Sequence, residues 1–252
     1  MCSSDLRAIG ERWGISFALL ELSNRIAMRG EFADACEYLE QAVAIVTEVG
    51  ATDDVMTMRA RQAQLYWLLG DEEASTSAMA EAQRYAERVA WPNALAELAL
   101  AKTELATWRG DAAEARTQLD VATAMLGNDP KGVGARAAIE VLRGHLAENL
   151  DEARTHHAAA FEAATQVGHA PMVAGTLVGL ADVALRAEQY EQAARLLGAA
   201  VRVRGLPDRA QPAETRIERE TRRRLGEPGF TEATREGTRA DWRELAAVTL
   251  AS

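Results

Sequence analysis

Apolar and small side chains recur along the chain at helical spacing, in stretches that polar turns separate. In the first stretch Trp13, Phe17, Leu20 and Ile26 serve as apolar anchors. The alternation of apolar and polar residues that is typical of strands is not convincing anywhere. The pattern therefore predicts an all-α protein, with helices over about residues 7–28, 32–49, 53–69, 72–89, 92–109, 112–126, 135–147, 151–167, 171–187, 191–204, 212–225, 230–236 and 241–250.

A turn position recurs at intervals of 38 to 40 residues, at Gly30, Gly70, Gly110, Glu148, Glu188 and Gly226. The next residue is each time acidic or an amide: Glu31, Asp71, Asp111, Asn149, Gln189 and Glu227. Small residues follow five positions after the turn (Ala35, Ser75, Ala115, Ala153, Ala193) and twelve after it (Ala42, Ala82, Ala122, Ala160, Ala200). The ninth position holds Leu39, Met79, Leu119, His157 and Leu197. Self-similarity at such a period is typical of a solenoid.

Each unit has a simple physical interpretation as two helices joined by a tight turn. Glycine at the turn can take positive φ and end the first helix, and the acidic or amide residue favours the start of the second. The small residues let the two helices approach closely, so that Leu at Ala42 or Ala122 would overpack the pair. No single pair buries its apolar face, and stacked neighbours are needed.

The spacing small–x(4)–Ala–x(3)–apolar–x(2)–Ala resembles the second half of the tetratricopeptide repeat, over roughly residues 15–205. Seven positions before the turn lies a residue that is small in most units: Ser23, Ala63, Thr103, Val141 and Ala181. The resemblance implies a right-handed α-solenoid of about five such helix pairs. The period exceeds the usual 34 residues of that repeat, and HEAT repeats have a period nearer 40, but the glycine-then-alanine spacing fits them less well.

The repeat pattern stops near residue 205, which gives a three-part organisation. Residues 7–205 are predicted to form the repeats and residues 206–252 a helical cap at the carboxyl end. Residues 1–6 are expected to be a non-native or disordered start, because Cys2–Leu6 is what a common sequencing-adapter end encodes, and the natural protein then continues upstream. The alternative is an ordinary disordered terminus.

The carboxyl end carries a more specific resemblance, in Ala194–Ala200, Leu206–Pro207, Leu225–Gly226, Phe230, Ala233, Gly237, Leu245 and Ala246–Ala247. This stretch resembles the carboxyl terminus of large bacterial LuxR-type and SARP-like ATPase transcription regulators. The resemblance implies a non-enzymatic arm that senses a ligand or binds a partner and gates ATPase and DNA-binding domains, which this chain lacks. Trp242 and the Arg222–Arg224 run depart from the pattern and leave the subfamily open.

The charge balance argues against broad nucleic-acid binding, since the net charge is −10 and the isoelectric point is near 5.0. Residues 202–243 differ from the rest, with 11 Arg against 8 acidic residues. Glu218 and Glu220 can pair with the Arg222–Arg224 run within one helix, which favours a solvated face over a phosphate site. Neither a signal peptide nor a membrane span is predicted, so we expect a cytoplasmic location.

No catalytic, cofactor or metal site is predicted, and the chain is not expected to be an enzyme. Gly127–Gly134 lacks the Gly-Lys-Ser/Thr order of a phosphate-binding loop. His156 and His157 are adjacent, so on a helix they point about 100° apart, whereas metal pairs need i, i+3 or i+4 spacing. His145 and His169 are expected to be isolated. A helical enzyme whose site the sequence does not reveal is the remaining alternative.

The tetratricopeptide resemblance implies that the first helix of each pair lines a concave groove for a protein, a peptide or a small-molecule inducer. Six positions before the turn lie Asn24, Gln64, Glu104, Leu142 and Asp182, and nine before it Glu21, Arg61, Ala101, Ile139 and Gly179. The predicted groove residues are Glu21, Asn24, Arg61, Gln64, Trp67, Glu104, Trp108, His145 and Asp182. Alternatively, the tryptophans are core between repeats and the polar row is solvated. A stand-alone cytoplasmic adaptor that binds a peptide or protein is the second functional hypothesis.

Overall fold

The computed structural model describes residues 12–48, 50, 52–127 and 133–251, with the side chains of residues 52 and 53 left aside. This part of the chain is all helical. Its twelve helices are α1 (Arg12–Met28), α2 (Phe32–Glu48), α3 (Thr52–Leu68), α4 (Glu72–Val89), α5 (Pro92–Arg109), α6 (Ala112–Leu126), α7 (Val133–Leu146), α8 (Leu150–Val167), α9 (Ala170–Arg186), α10 (Tyr190–Arg204), α11 (Pro212–Gly237) and α12 (Trp242–Ala251).

Within the described residues, the helix bounds agree with the sequence prediction to within a few residues; the predicted start of the first helix, at residues 7–11, lies outside them. The prediction of two separate helices over residues 212–225 and 230–236 is confirmed, because α11 consists of two helical segments separated by a sharp bend. The bend lies at Gly226, whose φ of 71° and ψ of 164° are outside the helical region. Glycine tolerates this conformation, and Pro228 occupies the first turn after it, where no amide hydrogen is required.

Two of the sequence expectations lie outside the described residues. The expectation of a non-native or disordered start concerns residues 1–6, and most of the Gly127–Gly134 turn falls in residues 128–132. Among the described helices, none combines the length and the apolar character that crossing a bilayer requires.

The turns between paired helices have the chemistry that the repeat predicts. Gly110 ends α5 with φ of 78°, and its N–H donates to the carbonyl oxygens of Ala106 and Thr107. The residue after the turn then caps the next helix. The side-chain oxygens of Asp71, Asp111 and Asn149 each accept from the backbone N–H of the residue three positions later, at 2.9, 3.0 and 2.8 Å. These bonds satisfy amide groups that have no partner within the helix.

The chain divides into two compact units, residues 1–126 and residues 127–252. In the first unit, α1 packs on α2, α3 on α4 and α5 on α6, while α3 also packs on α2 and α5. In the second unit, α7 packs on α8, α9 on α10 and α10 on α11, and α12 lies against α9 and α10. Each unit therefore consists of consecutive helices that pair with their sequence neighbours.

The small repeat positions are the points where paired helices touch. Ser23 Oγ donates to the Ala35 carbonyl oxygen at 2.8 Å, and Ser75 Oγ donates to the Ala63 carbonyl oxygen at 2.7 Å. The same two positions of the repeat meet in both pairs, with the roles of hydroxyl and carbonyl exchanged. Ala35 and Ala63 are fully buried. A side chain can reach a neighbouring backbone in this way only where the helices lie close together.

The core of the second unit is provided mainly by α9 and α10, and the carboxyl-terminal helices cover it. Leu177, Leu180 and Leu196 are completely buried there, and Ile217 of α11 joins them. Gln192 Nε2 on α10 donates to the Leu245 carbonyl oxygen of α12 at 3.0 Å. The last two helices, α11 and α12, thus pack directly on α9 and α10.

Candidate functional site

Five of the predicted groove residues come together on α3 and α5, the first helices of two consecutive pairs. We call Arg61, Gln64, Trp67, Glu104 and Trp108 the α3–α5 strip. Arg61 Nη1 donates to Gln64 Oε1 at 2.9 Å, and Gln64 Nε2 donates to Glu104 Oε2 at 2.6 Å. Gln64 is only 4% exposed, so its amide links the two charged groups from within the helix interface.

The tryptophans of the strip contact one another across the same interface. The ring centroids of Trp67 and Trp108 are 5.7 Å apart, with their planes tilted by 40°. Both rings are half-buried and pack against a buried cluster that includes Met56 and Leu105. Part of each indole therefore contributes to packing between pairs, and the rest remains accessible beside the polar groups of the strip.

Two further predicted groove residues are on α1. Glu21 is exposed and Asn24 is half-buried. Among the hydrogen bonds described, none links either residue to the α3–α5 strip. The structure therefore brings together the predicted residues of the second and third pairs more clearly than those of the first.

The last two predicted residues, His145 on α7 and Asp182 on α9, meet in the second unit around a residue that was not predicted. His145 Nδ1 lies 4.0 Å from Asp182 Oδ2, and the His145 and His157 ring centroids are 5.1 Å apart in an edge-to-face arrangement. One nitrogen of each ring and one Asp182 oxygen all lie within 4.8 Å of one another. We call these three residues the His–His–Asp cluster. The expectation that His145 is isolated is wrong.

His157 occupies an unusual place for a polar side chain. Its exposure is 0%, and neither ring nitrogen has a hydrogen-bond partner within the described part of the chain. The ring lies between Gly144 of α7 and Gly179 of α9, where a Cβ on either glycine would come within 3.0 Å of a ring nitrogen. The two glycines therefore create the space for the imidazole between the helices.

A sequence signal for His157 exists in the repeat, although the sequence prediction concerns only its pairing with the adjacent His156. The ninth position after the turn is Leu39, Met79, Leu119 and Leu197 in the other units, so a histidine there breaks an apolar position. Burying an unpaired polar group in such a position costs free energy. A second sequence signal is Gly179, which lies nine positions before the turn at Glu188 and which the structure places against His157.

Burial keeps the two histidines of the cluster neutral, and the charge of Arg216 favours the ionised form of Asp182. Burial lowers the pKa of the His157 imidazole to about 3 and also lowers the pKa of His145, so both rings are neutral at pH 7. Burial alone would raise the pKa of Asp182. The positive charge of Arg216 and the hydrogen bond that it donates oppose that effect, and the pKa of Asp182 lies below its ordinary value. Arg216 Nη2 donates to Asp182 Oδ1 at 2.5 Å.

The other histidines lie apart from this cluster. His156 Nδ1 is 2.7 Å from Glu140 Oε2, on a different side of α8 from His157. His169 is the residue before α9 and caps it without a side-chain hydrogen bond. Adjacent residues of one helix thus reach separate neighbours, as the helical geometry requires.

The basic run of α11 pairs within its own helix, as predicted. Arg222 Nη2 donates to Glu218 Oε1 at 2.8 Å, and Arg223 and Arg224 both donate to Glu220, at 2.6 and 3.2 Å. The run is therefore largely neutralised by acidic neighbours.

A second polar surface in the first unit was not predicted. Arg59 Nη1 on α3 lies 2.5 Å from Glu40 Oε2 on α2, and Arg59 Nε lies 2.9 Å from Glu81 Oε2 on α4. These residues line an open depression with Arg84, Tyr85 and Arg88. Hydrogen bonding from Arg59 lowers the pKa of Glu40. This depression, which we call the rival depression, is the alternative candidate to the α3–α5 strip as a binding surface.

Comparison with known proteins adds no assignment to this geometry. No protein-family model matches the chain, and a search of curated proteins finds no match.

Proposed function

We propose that the chain is a non-enzymatic binding arm, built as a right-handed α-solenoid of about five tetratricopeptide-like pairs with a helical cap. Its binding surface is the α3–α5 strip. The observation that carries this proposal is the hydrogen bond from Gln64 to Glu104. It joins the same position of the repeat in two consecutive first helices.

The Gln64–Glu104 bond supports a recognition surface because it aligns successive units. The two residues are 40 positions apart, which is one period. Equivalent positions that touch lie on one face, so the side chains at these positions of α3 and α5 form one row within the first unit. A row of this kind is what a repeat array uses for binding.

The chemistry of the strip suits a peptide or a protein segment. It offers the Arg61 guanidinium, the Glu104 carboxylate and the accessible parts of two indole rings. Tryptophan and arginine dominate the binding energy of many interfaces, because they combine large contact area with hydrogen bonding. An extended segment with an acidic group and an aromatic or aliphatic anchor is the partner that these groups fit.

The regulatory part of the proposal comes from the carboxyl-terminal resemblance. In the regulators that this stretch resembles, such an arm gates ATPase and DNA-binding domains, and we propose the same role here, in the cytoplasm. The carboxyl-terminal stretch that carries the resemblance includes α11 and α12, which pack on the last repeat helices. In this proposal they cap the stack of helix pairs.

Replacement of Arg61 tests the binding surface. Peptides would be selected on the immobilised chain from a random display library, and their dissociation constants measured by isothermal titration. We expect Arg61→Ala to weaken an enriched acidic peptide by about tenfold, since a lost interface charge contact costs roughly 1–2 kcal/mol. The melting temperature should stay nearly unchanged, because Arg61 is only half-buried.

Arg84→Ala is the matched control, because Arg84 lines the rival depression and is exposed. It should leave peptide affinity unchanged. Affinity that falls with Arg84→Ala and not with Arg61→Ala would move the binding surface to the depression. A library that yields no binder for the native chain would argue against a peptide-binding arm.

A stand-alone adaptor would use the same strip without a parent regulator. The two possibilities differ in the DNA upstream of the codon for Arg7. An open reading frame that encodes a Gly-x(4)-Gly-Lys-Ser/Thr loop and a DNA-binding domain supports the regulator. A start codon close by, without those domains, supports the adaptor.

A further inference from the structure

We propose that the His–His–Asp cluster binds one divalent transition-metal ion of the Zn²⁺ class, held by His145, His157 and Asp182. This site lies in the second unit and is independent of the α3–α5 strip. It would hold whether or not the strip binds a peptide.

The geometry brings together three metal-binding groups from three different helices. One nitrogen of His145, one nitrogen of His157 and one oxygen of Asp182 are all within 4.8 Å of one another. Around a tetrahedral Zn²⁺ with ligands at about 2.0–2.1 Å, ligand atoms are about 3.3 Å apart. Binding of an ion would therefore bring these ligand atoms closer together by up to about 1.5 Å.

His157 provides the independent reason to expect a ligand. It is completely buried, and neither ring nitrogen has a hydrogen-bond partner among the described residues, although buried polar groups are almost always hydrogen-bonded. Two glycines, Gly144 and Gly179, leave just enough space for its ring. A metal ion bound to one ring nitrogen would give the buried His157 imidazole a polar partner.

Asp182 has the arrangement of a ligating carboxylate. Its Oδ1 accepts from Arg216 Nη2 at 2.5 Å, which leaves Oδ2, the oxygen on the His145 side, for the ion. A metal-bound carboxylate is commonly oriented by such an outer hydrogen bond. The Arg216 charge opposes a cation, so the site is weaker than one without it. His145 is the most exposed of the three residues, with 15% of its side chain accessible to solvent.

The ligand set selects the class of metal. Two imidazoles and one carboxylate suit Zn²⁺, Co²⁺ and similar ions, whereas Mg²⁺ and Ca²⁺ prefer oxygen ligands. Three protein ligands leave a fourth position for water. The ion would connect α7, α8 and α9 in one coordination sphere and so stabilise their packing.

Metal titration of the full chain tests this site directly. The chain, without a histidine tag and freed of metal by a chelator, would be titrated with Co²⁺ and then Zn²⁺. We expect one Co²⁺ per chain, a visible tetrahedral ligand-field spectrum that Zn²⁺ abolishes, and a higher melting temperature with Zn²⁺. His145→Gln and Asp182→Asn should each weaken Co²⁺ binding by at least tenfold.

His156→Gln is the matched control, because His156 is adjacent to His157 but pairs with Glu140. It should bind Co²⁺ like the native chain. His157→Phe should abolish binding; if that variant fails to fold, the other two variants decide. Absence of a stoichiometric Co²⁺ signal in the native chain would overturn the proposal. Equal weakening by His156→Gln and Asp182→Asn would also overturn it.

Discussion

Replacing Glu214 with alanine is expected to destabilise the second unit by about 3–5 kcal/mol. Arg204 Nη2 donates to both carboxylate oxygens of Glu214, at 2.9 and 2.6 Å, and the two residues are only 8% and 4% exposed. Glu214 also accepts from the Asp208 N–H at 3.1 Å. Its removal leaves a buried guanidinium without its counter-charge, and a buried unpaired charge is very costly. Urea unfolding of the variant measures the loss.

Two comparisons make this prediction specific. Glu236→Ala removes an exposed partner of Arg195, at 2.8 Å, and should cost less than about 1 kcal/mol. The double variant Arg204→Met with Glu214→Leu removes both charges and should be clearly more stable than Glu214→Ala alone. If Glu214→Ala were no worse than Glu236→Ala, the buried pair would not have the role described.

Replacing Gly198 with alanine is expected to destabilise the second unit by about 3 kcal/mol, and Gly237→Ala by a similar amount. A Cβ on Gly198 of α10 would come within 3.0 Å of the Thr234 carbonyl oxygen of α11. A Cβ on Gly237 of α11 would come equally close to the Arg195 carbonyl oxygen of α10. The obstacles are backbone atoms, so the helices themselves would have to separate. The midpoint of urea unfolding reports the loss.

Gly175→Ala provides the control with the opposite sign. Gly175 is also helical, on α9 of the same unit, and a Cβ there would meet nothing within 4 Å. The substitution should stabilise by about 0.5–1 kcal/mol, since alanine loses less backbone entropy in a helix. Equal effects of Gly175→Ala and Gly198→Ala would show that α10 and α11 do not touch as described.

Gly198 and Gly237 show which features of the fold can be predicted from the sequence and which cannot. Both Gly198 and Gly237 belong to the stretch that resembles the regulators, so their positions were singled out from sequence. That each faces the backbone of the other helix was not predictable, because it depends on the bend at Gly226 and on the register of two helices. The helices themselves follow from local patterns of apolar spacing and turn residues, which is why their bounds were predicted well.

The candidate residues show the same limit. Gln64 and Glu104 were placed in one row because they share a repeat position, and the structure joins them by a hydrogen bond. His157 occupies the repeat position that leucine or methionine fills in the other units. Its contact with His145 and Asp182 depends on how three helices pack against one another. Local sequence patterns do not determine that packing.

The central claim is that the α3–α5 strip is the binding surface, and the chain's own tryptophans test it most directly. Of the five tryptophans, Trp67 and Trp108 belong to the strip, whereas Trp91 is exposed at the start of α5 and Trp242 packs on Phe161 in the second unit. The indole N–H resonances of the ¹⁵N-labelled chain would be recorded during titration with a selected peptide. We expect the Trp67 and Trp108 signals to shift while those of Trp91 and Trp242 stay in place. Shifts at Trp91 or Trp242 with Trp67 and Trp108 unchanged would contradict the claim.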